Sequence, residues 1–191
     1  MPKRLCPLCG GNNTSKILWG MPAWSPELEE DLQLKKIVLG GCCIPTPTPK
    51  YHCNDCDKHI LYTTEEDEIK TYYFKFGIGV FFDGHSRIEV EKSPKGAYAR
   101  YYPSFENAEK EVSIKLTDEQ FFKYIHKIYC ASIMEWKEEY DNPNILDGTQ
   151  WGVTIKYYDG KEKNWYGNND YPPLWNKFLK AVNQLPLPNI Y

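Results

Sequence analysis

Two pairs of cysteines with the spacing of metal ligands are the residues of this chain whose types could do specific chemistry. The first pair is Cys6 and Cys9, followed by two glycines, and the second is Cys53 and Cys56. In a C-x-x-C hook the chain turns so tightly that both sulfurs point inward, and two facing hooks supply a tetrahedron of thiolates. The sequence therefore predicts a structural Zn²⁺ site. Because four thiolates close the coordination shell, metal-assisted hydrolysis is not expected.

The two hooks could instead be buried free cysteines, a redox dithiol or part of a disulfide framework. A thioredoxin-like pair is disfavoured because neither hook opens a helix behind a buried strand. A secreted disulfide framework fits poorly because the seven cysteines are an odd number and no hydrophobic signal peptide precedes Cys6. Cys42 or Cys43 could replace one ligand, although adjacent side chains on an extended backbone point opposite ways. His52 and His59 flank the second hook and could substitute for a ligand, although both are expected at the surface.

The spacing between the hooks is unusually long. The 43 residues between Cys9 and Cys53 exceed the roughly 15–20 of the commonest four-cysteine pattern, so something folded must lie between them. A strand is predicted over 16–20 and another over 37–39. Between them, Ser25 is a helix N-cap with proline at the first helical position. We therefore expect a zinc ribbon with a helical insertion.

The second half of the chain carries the signals of an α+β domain with a mainly antiparallel sheet and two packed helices. Its clearest hairpin turns at Asp159-Gly160, between two strands that alternate apolar and polar residues. Thr117 begins a helix with a capping box closed by Gln120, and Pro172-Pro173 opens the last helix. Further strands are predicted over 72–82, 87–91, 97–102 and 111–116. The first helix is predicted to bury Phe121, Phe122, Ile125, Ile128 and Tyr129.

The domain organisation follows from these two halves and from the acidic run between them. Residues 65–68 are all acidic, which is typical of a solvated segment. We expect a zinc-ribbon module over residues 1–62, an acidic linker over 63–70 and an α+β domain over 71–191. No internal repeat is present.

Two stretches resemble known groups of proteins. The first 62 residues resemble the zinc-ribbon (rubredoxin-like) group, and the match rests on Cys6, Cys9, Cys53 and Cys56. The run 146–151, followed by Gly167-Asn168 and Tyr171-Pro172-Pro173, is similar to a pattern in uncharacterised bacterial proteins. The first resemblance implies a metal-stabilised ribbon, and the second implies no catalytic residues.

The charge of the chain argues against a nucleic-acid partner. The net charge is -3, and residues 1–60 carry seven basic against six acidic side chains, so the basic surface typical of nucleic-acid binding is missing. No run approaches the roughly 18 apolar residues of a membrane span. A nucleic-acid interface on the ribbon would have to use its basic residues: Lys3, Arg4, Lys16, Lys35, Lys36, Lys50 and Lys58.

Three further features could be functional. His85 follows a predicted hairpin turn and is expected to be solvated. His126 and Cys130 are four residues apart on a predicted helix, so they could form a nucleophile pair, but the sequence indicates neither an oxyanion hole nor a third orienting group. The asparagine-rich stretch 167–173 is the first expectation for a recognition surface, because loops on rigid scaffolds often bind partners.

These observations together predict a zinc-binding cytoplasmic protein that is more an adaptor than an enzyme. The leading hypothesis is a non-enzymatic module that binds another protein. The alternative is a nucleic-acid-binding protein that uses the zinc ribbon. A third hypothesis is an enzyme of unfamiliar type that depends on His85, His126 or Cys130.

Overall fold

The computed structural model describes Cys6 and residues 8–46, 48–61, 65–80, 84–104, 111–145 and 148–190. Over these residues the chain forms two β-sheets, four α-helices and one short 3-10 helix. All but two of the strand pairings are antiparallel. The expected α+β class with a mainly antiparallel sheet is therefore confirmed.

The N-terminal part folds into a four-stranded sheet with the strand order β2-β1-β3-β4. A parallel pair, β1 with β2, is connected by the helix α1, whereas β1–β3 and β3–β4 are antiparallel. The elements are β1 (Thr14–Trp19), α1 (Pro26–Gln33), β2 (Ile37–Gly41), β3 (Tyr51–Cys53) and β4 (Lys58–Ile60). The strand, helix and second strand predicted between the cysteine hooks are all present.

The helix α1 begins where the sequence predicts. The side chain of Ser25 accepts a hydrogen bond from the backbone N–H of Leu28 at 3.2 Å, and Pro26 occupies the first helical position. Glu27 and Glu29 lie in the first turn, where the helix dipole favours negative charge. Leu28 is the buried residue of the helix, so most of the α1 surface faces solvent.

The C-terminal part folds into a seven-stranded sheet with the order β8-β7-β6-β5-β10-β11-β9. The hairpin of β10 and β11 turns at the predicted Asp159-Gly160, and β9 pairs in parallel with β11 at the edge. Sequence patterns did not predict β9. The strands are β5 (Thr71–Val80), β6 (Gly84–Ser93), β7 (Gly96–Tyr102), β8 (Val112–Leu116), β9 (Glu139–Asp141), β10 (Thr149–Tyr157) and β11 (Glu162–Asn168). The predicted turn residue Asp83 lies outside the described residues.

Two helices, α3 (Asp118–Tyr129) and α4 (Trp175–Val182), cover one face of this sheet. The capping box at the start of α3 is confirmed, since Thr117 and Gln120 exchange side-chain-to-backbone hydrogen bonds. Four of the five predicted core residues of α3 are buried. The exception is Phe122, which is 36% exposed and lies beneath the ammonium group of Lys92.

The main core lies between the sheet and these helices and is rich in aromatic rings. Phe178 of α4 packs edge-on against Phe76 of β5 with a centroid distance of 5.1 Å. Trp175 meets Trp151 of β10 at 4.7 Å. Most of the aromatic side chains in the second half of the chain therefore pack in the core. Within the described part of the chain, no helix is long and apolar enough to cross a membrane.

The acidic stretch predicted as a linker contains a short helix, α2 (Glu65–Lys70), that leads directly into β5. Thr71 donates its hydroxyl hydrogen to the carbonyl of Asp67 at 2.8 Å. The hydroxyl of Tyr129 on α3 lies 3.4 Å from the same carbonyl. The contact from Tyr129 holds α2 against α3, and the stretch is a turn of helix instead of an extended segment. Residues 62–64, where the linker was expected to begin, lie outside the described residues.

The two sheets meet at a junction beside the 3-10 helix Ile133–Glu135. The backbone N–H of Leu61, just after β4, donates a hydrogen bond to the carboxylate of Glu135. On the other side of the cysteine hooks, a Cβ at Gly10 would lie 3.6 Å from Cβ of Pro173, in the loop before α4. The N-terminal sheet therefore lies against the C-terminal domain at two places, one just after β4 and one at the first cysteine hook.

Candidate metal centre and neighbouring sites

The first cysteine hook is a tight turn closed by its own backbone. Cys6 donates its N–H to the carbonyl of Gly11 at 2.8 Å, and Gly10 donates to the carbonyl of Cys6 at 2.9 Å. Gly10 has φ of +75°, a left-handed conformation that glycine adopts without strain. The N–H of Leu8 points at the sulfur of Cys6, with the nitrogen 3.4 Å away. A backbone N–H directed at sulfur stabilises the thiolate form that binds a metal.

The second hook joins β3 to β4 and has the same construction. Backbone N–H groups of Asp55 and Cys56 donate to the sulfur of Cys53. Asp55 also ties the two hooks together, because its carboxylate accepts a hydrogen bond from the side chain of Asn13 at 2.9 Å. A Cβ at Gly11 would collide with this carboxylate and lie 3.3 Å from the sulfur of Cys9, so a larger residue there would displace the Asp55 side chain and crowd the first hook.

The four sulfurs of Cys6, Cys9, Cys53 and Cys56 all lie within 4.8 Å of one another. The separation is 3.8 Å between Cys6 and Cys56 and 3.6 Å between Cys9 and Cys53. A regular tetrahedron with Zn–S distances of about 2.3 Å has sulfurs about 3.8 Å apart, whereas a disulfide bond would bring two sulfurs to about 2.05 Å. The expectation that these four residues come together is confirmed, and their geometry fits one tetrahedral metal ion.

Burial and mutual crowding shift the pKa values of the clustered thiols. Burial raises the pKa of Cys56 to about 12, and the neighbouring thiols add to the effect. Burial also raises the pKa of Cys6. At Cys53 burial acts in the same direction, but the backbone N–H groups of Cys56 and Asp55 lower its pKa overall. The crowded thiols therefore lose their protons less readily than isolated thiols do. A metal ion that binds them must displace these protons.

The other cysteines and histidines of this part lie outside the cluster. Cys42 and Cys43 follow β2 and are exposed, so neither replaces a member of the four-sulfur group. The rings of His52 and His59 lie next to each other, with the two Nδ1 atoms 3.2 Å apart. His59 is exposed as expected, whereas the side chain of His52 is only 14% exposed and its Nε2 lies 3.4 Å from a carboxylate oxygen of Asp57.

His85 is exposed, as the sequence predicts, and it borders a surface groove. This groove has a volume of about 610 Å³ and lies on the face of the seven-stranded sheet opposite the helices. Gly77 and Gly152, which pair directly across β5 and β10, form part of its floor. The guanidinium of Arg87 stands at its side, 4.0 Å from the ring centroid of Tyr102. The groove is an open depression with apolar and polar side chains in its lining, not an enclosed pocket.

His126 and Cys130 do form the pair that helical spacing allows. The Nε2 atom of His126 lies 3.4 Å from the sulfur of Cys130. A third group, which the sequence did not indicate, completes the arrangement, because Nδ1 of His126 lies 2.9 Å from a carboxylate oxygen of Glu68. Glu68 belongs to α2, in the acidic stretch predicted as a solvated linker.

The loop expected to be a recognition surface is largely engaged in internal hydrogen bonds. The side chain of Asn169 accepts a hydrogen bond from the backbone N–H of Thr149 at 2.9 Å. The indole N–H of Trp151 donates to the carbonyl of Asp170 at 2.9 Å. Asn168 donates to the carboxylate of Asp141 at 3.2 Å. These bonds join the loop to β9 and β10, and partner binding by this loop stays a prediction.

Sequence reasoning missed one further titratable group, Glu135 at the junction of the two sheets. Burial raises its pKa to about 7, against the ordinary value of 4.5. Its Oε1 atom is buried with no hydrogen-bond partner among the described residues, although Leu61 donates to the carboxylate. No local pattern marks this residue, because its burial depends on how the N-terminal sheet packs beside it.

Comparisons of the chain with protein-family models, with curated proteins and with solved structures found no match. The resemblance of the N-terminal part to zinc ribbons therefore rests on the cysteine hooks alone. The features of the structure that bear on function are the four-sulfur cluster, the surfaces around it, and the contacts of His126 with Glu68 and Cys130.

Proposed function

We propose that the chain is a zinc-binding adaptor, in which a zinc ribbon with a helical insertion presents a surface to a partner protein. The sulfur-to-sulfur distances of 3.6 and 3.8 Å support a tetrahedral thiolate site. Four thiolates around Zn²⁺ leave no open coordination position, so the metal would act as a structural cross-link. Its role would be to hold the insertion in place.

The observation that carries the proposal is the apolar surface of this insertion. Of the ten large apolar side chains found exposed among the described residues, five lie within residues 21–44. Met21 is 92% exposed and Trp24 is 67% exposed. Scattered single apolar residues are normal on a protein surface, whereas a contiguous exposed apolar patch marks an interaction site. The concentration of five such side chains in one short segment supports a patch of this kind here. The five residues are Met21, Trp24, Leu34, Leu39 and Ile44.

The position of β2 adds a second reason to expect a protein partner. β2 lies at the edge of the four-stranded sheet and carries the exposed Leu39. An apolar edge strand is a template on which another polypeptide can add a strand. We therefore assign the insertion to a partner protein with an apolar surface, which Trp24 and Leu39 would contact.

The test compares two matched double variants of the zinc-loaded protein. Affinity capture identifies a candidate partner, which is then purified and titrated by calorimetry against the wild type. Replacing Trp24 and Leu39 by Ser should weaken binding at least about tenfold, since a buried Trp at an interface contributes about 2 kcal/mol or more. Replacing the exposed Tyr158 and Ile145 by Ser should leave the affinity unchanged.

Three results would overturn this assignment. Equal affinities of the two double variants would show that the insertion is not the docking surface. Concentration-dependent self-association, lost with Trp24 and Leu39, would identify a second copy of the chain as the occupant. Salt-dependent binding to DNA or RNA, lost on replacing exposed lysines such as Lys16 and Lys58, would favour the nucleic-acid alternative instead.

A further inference from the structure

The contact between α2 and α3 creates a chain of three hydrogen-bonding groups that the adaptor role does not use. Glu68 Oε2 lies 2.9 Å from Nδ1 of His126. On the other side of the ring, Nε2 lies 3.4 Å from the sulfur of Cys130. A carboxylate, an imidazole and a thiol in this order are the arrangement in which an oriented base activates a nucleophile.

The carboxylate of Glu68 determines which ring nitrogen of His126 carries the proton. An ionised Glu68 can only accept a hydrogen bond, so the ring proton lies on Nδ1. Nε2 then presents its lone pair to the thiol of Cys130 and can take the thiol proton. His126 also lies in the last turn of α3, where the helix dipole stabilises the imidazolium that this transfer creates.

We propose that Cys130 is a nucleophilic thiol that undergoes exchange with small disulfides. The Cys130 sulfur bonds to one sulfur of the disulfide, whose S–S bond breaks. The second sulfur leaves with the bonding electron pair as a thiolate, and the proton of Cys130 passes to Nε2 of His126. The products are a mixed disulfide on Cys130, a free thiolate and the imidazolium, so no further oxidant is required.

The surroundings of Cys130 select this reaction over acyl transfer. Acyl transfer needs hydrogen-bond donors for an oxyanion, but the backbone N–H groups of Cys130, Ala131 and Ser132 all donate to carbonyls of α3. Disulfide exchange needs no such donors, since its leaving group is already a stable anion. The side chain of His126 is 58% exposed and Cys130 is half-buried, so a small disulfide can reach the sulfur.

The experiment uses the full chain with Cys42 and Cys43 replaced by Ser. Because the protein has seven cysteines, Cys130 is then the one thiol outside the four-sulfur cluster. The probe is 5,5′-dithiobis(2-nitrobenzoate), and the released thiolate is followed by absorbance. The same protein with Cys130→Ser is subtracted, which removes any release from the cluster with or without bound metal. One equivalent should be released in a fast phase.

Substitutions of the two supporting groups test the assigned roles. His126→Ala should slow the fast phase about tenfold, because a thiol without its base is only a few per cent thiolate near neutral pH. Added imidazole should restore part of the rate, which a purely structural role of His126 would not allow. Glu68→Gln should cause a smaller loss and shift the ring-nitrogen ¹⁵N signals of His126 away from the Nδ1–H tautomer. His85→Ala is the control and should change nothing.

The proposal fails under clear conditions. The proposal would be wrong if Cys130 reacted with the probe at the rate of a free cysteine peptide, or if His126→Ala left that rate unchanged. The three side chains would then form only a surface contact. If His126→Ala alters the circular dichroism spectrum, His126→Gln replaces it, because glutamine retains a polar side chain of similar length. An unchanged rate in a folded His126→Gln variant overturns the proposal in the same way.

Discussion

The two sheets of this protein are stabilised by different means. The seven-stranded sheet has a core of 28 buried apolar residues, whereas the core of the four-stranded sheet consists of Cys6, Cys53 and Ile60. Two of these three are themselves cysteines of the sulfur cluster. A core of this size does not offset the conformational entropy of about 50 ordered residues, and small modules of this kind depend on a metal or disulfides. From this comparison we propose that the first sheet needs a bound metal ion to fold, whereas the second does not.

The strongest test of this difference removes the metal. Cys53→Ser, or a chelator, should unfold the N-terminal sheet, since the apparent binding free energy of structural zinc is about 10–16 kcal/mol and is coupled to folding. Amide hydrogen exchange should show loss of protection in β1 and β3 while β5 and β10 stay protected. Metal analysis should give one zinc per chain for the wild type.

The matched control for this experiment is Cys43→Ser. Cys43 is exposed and lies outside the sulfur cluster, so its replacement should leave both the metal content and the protection of β1 unchanged. If the wild type contains no metal and all its thiols titrate freely, the two sheets cannot differ in the proposed way. Loss of protection in β10 after chelation would instead show that the sheets unfold as one unit.

The junction between the sheets should respond to pH through Glu135. Its pKa in the folded protein is about 7, above the ordinary value of 4.5, so the folded state binds the proton more tightly than the unfolded state does. The stability that this proton contributes is complete below pH 4.5 and is lost as the pH rises through about 7. Glu135→Gln should therefore stabilise the protein relative to wild type at pH 8 and have a much smaller effect at pH 5.

Thermal unfolding of the two proteins at both pH values measures this effect. Comparison at equal pH cancels the protonation of the metal ligands, because both proteins carry the same cysteines. Glu138→Gln, at an exposed position three residues away, should shift the unfolding temperature equally at the two pH values. A constant difference between wild type and Glu135→Gln from pH 5 to pH 8 would contradict the burial of this carboxyl group at the junction.

The smallest expected effects come from a matched pair of glycines. A Cβ at Gly152 would lie 3.8 Å from the nearest atom, whereas a Cβ at Gly11 would collide with the carboxylate of Asp55. Gly152→Ala should change the free energy of unfolding by less than about 1 kcal/mol, in either direction. Gly11→Ala should weaken zinc binding about tenfold, because Asp55 supports the second hook. A competition titration with a chromogenic chelator measures the zinc affinity. Equal zinc affinities of the two variants would show that Asp55 does not support the metal site.

The features that the sequence predicted correctly are those fixed by local patterns. The cysteine hooks, the capping box at Thr117 and the hairpin at Asp159-Gly160 each depend on residues close together in the chain. The features that it missed depend on tertiary packing. β9 has only three residues, which is too short for its alternation to stand out, so its pairing with β11 defines it. Phe122 has the spacing of a core residue, but it lies at the margin of the buried face of α3.

The same reason explains why the contacts of Glu68 and Glu135 were not foreseen. Glu68 is one of four consecutive acidic residues, which resemble a solvated run until α2 packs against α3. It is 58 residues from His126, and no spacing rule relates positions so far apart. Glu135 ends the 3-10 helix Ile133–Glu135, and its burial depends on the approach of Leu61.

The long interval between the hooks makes the insertion of α1 and β2 a segment that can be exchanged. Closing a flexible loop costs only about 0.6 kcal/mol more for each doubling of its length, so the sulfur cluster tolerates segments of very different size between Cys9 and Cys53. The strand β1 and the two hooks provide the fixed frame, and residues 21–44 carry the exposed apolar surface. A different loop grafted between Gly20 and Lys50 should therefore give the same metal-held frame a new binding specificity.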